Sequence, residues 1–165
     1  MVCFHSRYDL GDEHDFYDAD EVMEFIKENK TLQLPLYLYD HSGISMSTTR
    51  NYPFNDVWDS GQVGIIYITY DKIKKEYGWK RITKKCQEQI LNYLSEEVNV
   101  YDDYLRGNVY GYQVECKFRH EIIDSCWGFY GNNWKENSLL DQVSNPVCNC
   151  EMFAQLSIPE LVEVQ

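Results

Sequence analysis

The chain has 165 residues, 44% of them hydrophobic, and 27 acids against 15 bases give it a formal net charge of −12. That composition can bury a core, which excludes wholesale disorder, and no apolar run approaches the roughly 20 residues a membrane span needs. The excess of carboxylates argues against a protein that grips phosphate backbones with a broad positive face, and points to basic partners instead.

The opening MVCFHSRYDLGDEHD lacks the basic and apolar blocks of an export signal. A cytoplasmic setting follows as the expectation, with reduced thiols at Cys3, Cys86, Cys116, Cys126, Cys148 and Cys150. Charge is uneven along the chain. Residues 1–30 hold nine acids against three bases, whereas residues 61–90 hold seven bases against three acids. Acidic ends therefore flank a basic middle.

In chain order, Asp18–Asn29 (DADEVMEFIKEN) places Val22, Phe25 and Ile26 on one helical face, with Asp18 or Asp20 as cap. Asp9, Asp12, Glu13 and Asp15 precede this helix and gain no explanation from it. Leu34–Tyr39 (LPLYLY) reads as a strand with Pro35 near its start, where a missing N–H does least harm. Asp40–Ser60 is rich in Ser, Thr, Asn, Gly and Asp and reads as a long structured loop. Val63–Tyr70 (VGIIYITY) is apolar on both alternations, as in a central strand covered on both faces. Asp71–Tyr77 predicts a helix stopped by Gly78. Thr83–Tyr104 predicts a longer one, with Ile82, Cys86, Ile90, Leu94 and Val98 recurring every four residues. Val109–Phe118 alternates with period two, giving a strand with one wet face. The rest is irregular apart from a short helix near Asn137–Val143. The expected fold class is α+β, a small mixed or antiparallel sheet with two or three packed helices. One domain covers residues 1–165, with residues 1–18 as an acidic N-terminal arm and 144–165 as an irregular tail.

Motifs for cofactors and metals are missing. There is no C-x-x-C, Cys148-Asn149-Cys150 stands alone, and His14, His41, Asp40 and Asp59 lack the spacing of a helical metal site. Gly107-x-x-x-Gly111 has neither the Lys-Ser/Thr nor the helix of a phosphate loop. No cofactor and no metal are expected. Tyr39-Asp40-His41-Ser42-Gly43 and Trp58-Asp59-Ser60-Gly61 contain the ingredients of nucleophilic hydrolysis, yet turn formation is the stronger explanation of both clusters. Asp124-Ser125-Cys126-Trp127 resembles the nucleophile segment of papain-like cysteine peptidases, but all four histidines precede Cys126, the reverse of that family's order. The alternative function is thus a hydrolase using Cys126 or Ser60 with His41, oriented by Asp40 or Asp59. Tyrosines beside carboxylates offer a different chemistry: a carboxylate fork and a ring face together grasp Arg and Lys.

The phrases LPLYLYDHSGISMSTTR, PFNDVWDSGQVGIIYITYDKIKKEYG, VYDDYLRGNVYGY and DSCWGFYG run from about Leu34 to Gly131. They resemble a family of small proteins encoded by bacteriophages and mobile elements of Gram-positive bacteria. The resemblance implies a genomic setting rather than catalytic residues. Small acidic phage proteins without a catalytic motif are often anti-CRISPR or antirestriction inhibitors. These act as DNA mimics, presenting carboxylates where a nuclease expects phosphates. The favoured expectation is a non-enzymatic inhibitor, cytoplasmic in the bacterial host, that binds the basic surface of a defence nuclease or its nucleoprotein complex, an RNA-guided effector such as Cas9 first. The contact candidates are Asp9, Asp12, Glu13, Asp15, Asp18, Glu96, Glu97, Asp102 and Asp103. The basic run Lys72, Lys74, Lys75, Lys80, Arg81, Lys84 and Lys85 would touch guide RNA or pair with the acids of a second copy as a homo-oligomer.

Overall fold

The computed structural model describes residues 1–41, 43–49, 60–116, 118–143 and 162–163. The fold is α+β, and every strand pairing is antiparallel. The backbone divides into two compact units, Met1–Asp102 and Asp103–Gln165.

The first unit contains β1 (Val2–Cys3), α1 (Ala19–Glu28), β2 (Thr31–Asp40), β3 (Ile44–Ser47), β4 (Ser60–Thr69), α2 (Tyr70–Tyr77) and most of α3 (Lys84–Leu105). Its sheet has the order β1-β4-β2-β3. Strand β4 is central, and its alternate residues point to opposite faces. Ile65 and Tyr67 pack on a cluster of Val2, Val22 and Ile26, while the intervening Ile66 is only 2% exposed. Pro35 is tolerated within β2 because β3 pairs with β2 only from Tyr37 onward, so Pro35 has no described strand on that side to donate to.

The helices end where their caps dictate. Asp18 caps α1 by accepting from the Glu21 amide at 3.0 Å, and Glu21 accepts from the Tyr17 amide at 2.6 Å, a reciprocal arrangement that satisfies two otherwise orphan donors. Thr69 caps α2, and Gly78 ends it in the left-handed conformation at φ 66°. In α3, Ile90, Leu94, Val98 and Asp102 form the buried stripe. Its last member is a carboxylate at a position whose spacing marks core.

Several sequence expectations change here. The long loop after Asp40 contains β3, which forms a hairpin with β2. Three serines, two threonines and a glycine around Ile44 and Met46 obscured a strand whose only strongly apolar members are those two residues. The first 18 residues are tied to the unit by β1, by the Phe4 amide donating to the Val63 carbonyl at 2.7 Å and by the Asp12 amide donating to the Met1 carbonyl at 2.9 Å. The close approach of β1 depends on Gly64, where a Cβ would lie 2.0 Å from the Val2 carbonyl oxygen.

The second unit contains β5 (Val109–Glu115), β6 (Ile122–Tyr130), α4 (Leu139–Gln142) and β7 (Val162–Glu163), in the sheet order β6-β5-β7. A single sheet was the expectation; two form. Strand β6 escaped notice because Asp124, Ser125, Cys126 and Gly128 break its apolar alternation. Tyr112, Phe129 and Leu139 make its buried cluster. Trp127 lies flat over Gly111, where a Cβ would fall 2.0 Å from the ring. Apart from β7, the expected tail at 144–165 lies outside the described residues. Among the described residues, no helix is long and apolar enough to cross a membrane.

Candidate functional site

The acidic candidates sort by burial. Asp9, Asp12, Glu13, Asp15, Asp18, Glu96 and Glu97 are exposed. Asp18 is also engaged as the α1 cap. Asp102 is a correction: it is 6% exposed and accepts from the Ser45 hydroxyl at 2.7 Å and the Met46 amide at 2.8 Å. It fastens β3 to the sheet's underlying helix and is not available to a partner. Asp103 belongs to the second unit, is half-buried, and accepts from the Asn108 side chain at 3.0 Å, with the Asn108 amide bonded to the Asp103 carbonyl at 2.8 Å. Adjacent carboxylates in sequence thus perform two different structural jobs.

The exposed acids of the N-terminal loop border two grooves. The larger, about 1040 Å³, is carved within the loop itself and carries Asp9, Asp12, Glu13 and Asp15 on its walls. The smaller, about 480 Å³, brings Asp12 and Glu13 together with Glu76 of α2 and Glu97 of α3. Its walls are aromatic: Phe16, Phe25, Tyr67, Tyr77 and Tyr93. Phe25 stands edge-on to Phe16 at 5.6 Å and tilted against Tyr67 at 5.6 Å, and the Tyr77 and Tyr93 rings are near-parallel at 6.3 Å. Desolvation, then the proximity of Tyr93 and Glu76, push the Tyr77 phenol up, so it stays a neutral donor. Lys72 lines this groove too, but Glu76 lies 3.9 Å from it, and the amino group of Met1 pairs with Asp12. Glu13 and Glu97 therefore hold the groove's least compensated charge.

The loop is held rigid where it needs to be. Gly11 adopts φ 80°, forms a bridge with Val2, and donates its amide to the Tyr101 hydroxyl at 3.0 Å. Tyr101 is a supporting residue whose place beside the apolar repeat of α3, and beside Asp102 and Asp103, is legible in the sequence, whereas its bond to the N-terminal loop is not. His14 sits between the grooves. Its Nε2 lies 3.3 Å from the Cys3 carbonyl, its ring meets Phe4 edge-on at 5.0 Å, and its Nδ1 is buried without a partner. Nε2 is the ring nitrogen placed to donate to that carbonyl. Burial pushes the neighbouring Cys3 thiol up to about 11, so Cys3 is no nucleophile near neutrality.

Among the described residues, the pairing of Cys126 with His41 is not assembled within either unit. His41 follows β2 in the first unit and is exposed, whereas Cys126 is in the second, half-buried in mid-strand. A strand gives Cys126 none of the helix-dipole activation that the papain-like reading requires. Asp40 is occupied by Arg7 at 2.9 Å and by the Tyr8 hydroxyl at 3.2 Å. Ser60 opens β4 opposite Tyr39. Asp59 lies outside the described residues. Among the described residues, no group of three His, Cys, Asp or Glu side chains is placed to hold a metal ion.

No family model matches this chain, and neither a curated protein nor a solved structure is significantly similar to it.

Proposed function

We propose that this chain is a stoichiometric binding protein whose acidic, aromatic-walled face occupies a basic surface of another protein. The observation that carries this reading is the meeting of Glu13, from the N-terminal loop, with Glu97, from α3, around a groove lined by Tyr77 and Tyr93. Carboxylates beside ring faces suit a guanidinium or ammonium group. An exposed ion pair contributes only about 0.2–1 kcal/mol, so useful affinity needs several such contacts at once. A surface with many closely spaced cations is the fitting partner, and the phosphate-binding channel of a nuclease is such a surface.

With the resemblance to phage-encoded small proteins, the reading becomes an inhibitor of a bacterial defence nuclease, acting in the host cytoplasm. An RNA-guided effector of the Cas9 type is the first target to test. In a nuclease assay, inhibition should saturate near one inhibitor per enzyme. Glu13→Lys with Glu97→Lys should weaken it by at least about tenfold, the loss of roughly 1.4 kcal/mol. Inactivation of nuclease in large excess over the chain would instead mark turnover.

A further inference from the structure

The second charged region of the first unit has a chemistry of its own. We propose that the turn between α2 and α3 is a binding site for single-stranded nucleic acid, distinct from the carboxylates of the acidic face. The segment 70–85 carries seven bases and two acids. Lys72 and Lys74 lie 3.9 Å from Glu76 and 3.8 Å from Asp71. Lys75, Lys80, Arg81, Lys84 and Lys85 are all exposed, and none has a carboxylate within ion-pair distance among the described residues.

Two of these lysines stand where helix physics disfavours them. Thr83 receives the Cys86 amide at 3.3 Å and so caps α3, which places Lys84 and Lys85 in the first turn, with no acid there. The positive end of a helix dipole favours anions, and cations at that end cost stability. The same end, with its unpaired amides and added lysines, is suited to phosphate. Among the described residues no carboxylate stands within ion-pair distance of Lys84 or Lys85, so a bound anion would complement the arrangement.

Next in the chain to Lys80 and Arg81 is the half-buried Trp79, part of a ladder of rings. Gly78, at φ 66°, turns the chain back so that Trp79 lies 4.7 Å from Tyr77, whose other neighbour is Tyr93. Trp79 is the member at the lysine end, and Glu97 belongs to the groove at the Tyr93 end. An aromatic face next to unpaired cations takes an unpaired base and its phosphates; a duplex hides its base faces and cannot use the ring. Ribose and deoxyribose strands share this chemistry.

The test is fluorescence anisotropy with labelled oligo(U) and oligo(dT) of roughly 15 nucleotides, the full chain and a blunt duplex control. At about 50 mM salt both single strands should bind, with affinity falling about 50-fold by 200 mM if four phosphates are neutralised. Tighter binding of oligo(U) would assign the site to RNA, and tighter binding of oligo(dT) to DNA. Trp79→Ala should weaken binding about tenfold or more, and Trp79→Phe should retain most of it. Lys84→Glu with Lys85→Glu, both exposed positions, should abolish it while thermal stability holds or rises. Absence of binding by the wild-type chain would overturn the proposal. So would equal affinity for the duplex, or sedimentation showing a salt-labile dimer that needs these lysines. Because the nuclease assay reads Glu13 and Glu97, and this assay reads Trp79 and Lys84, either reading can fail without the other.

Discussion

The two charged regions of the first unit are built by opposite means. The acids of the N-terminal loop are positioned by backbone: β1 on β4, Gly11 on Val2 and Tyr101, the Asp12 amide on the Met1 carbonyl. The bases of residues 72–85 are positioned by helix ends, Gly78 stopping α2 and Thr83 starting α3. A loop pinned by the sheet must change when the sheet edge changes. A patch set by two caps depends on local geometry alone. The lesson is that the net charge of −12 is a poor summary of a surface on which the signs are separated by construction.

That contrast can be broken deliberately, the largest effect first. Asp102→Ala leaves the Ser45 hydroxyl and Met46 amide without their acceptor and should destabilise the fold by about 3 kcal/mol in urea unfolding. Because Asp102 is buried, inhibition per folded molecule should be unchanged, in contrast to the exposed Glu97. Gly64→Ala, with its Cβ driven into the Val2 carbonyl, should cost about 2 kcal/mol, and it should also weaken inhibition because it shifts β1 and the loop behind it. Binding at the basic turn should survive it. Thr83→Ala removes the α3 cap, should cost about 1 kcal/mol, and should disturb only the basic side.

The smallest effect is on thiol chemistry. Hydrogen bonding to Thr83 lowers the Cys86 thiol below its usual range, while burial raises that of Cys3 from 9.0 to about 11. Cys86 should therefore label faster than Cys3 near pH 8, as mass spectrometry of a timed labelling reaction would read. The sign for stability follows from which state ionises first. Between about pH 9 and 11 the unfolded chain loses the Cys3 proton and the folded chain keeps it, so stability should fall as pH rises through that window. Cys3→Ala should flatten that slope.

Much of this organisation is legible in the amino-acid sequence, and the exceptions have physical causes. Helices α1, α2 and α3 follow from caps, glycine stops and a four-residue apolar repeat, each a local property. Strand β4 follows from its apolar, largely β-branched run Val63–Thr69. Strands β1, β3 and β6 do not, because they are short or interrupted by polar residues, and β1 is moreover made by pairing with a strand about sixty residues away. Asp102 carries the same lesson for the candidate site. Its neighbours Tyr101 and Asp103 suggested a surface cluster, but a fifth-turn position in register with Ile90, Leu94 and Val98 made it core. The joining of Glu13 with Glu97 depends on where residue 13 folds relative to α3, which no periodicity encodes.

The acidic face is tested most directly by calorimetric titration of the wild-type chain and of its Glu13→Lys/Glu97→Lys variant into a purified RNA-guided nuclease over a range of salt. Binding near one to one that weakens with salt, and is lost on charge reversal while the variant stays folded, is the result this account requires. Equal affinity for both proteins, or binding indifferent to salt, would contradict it.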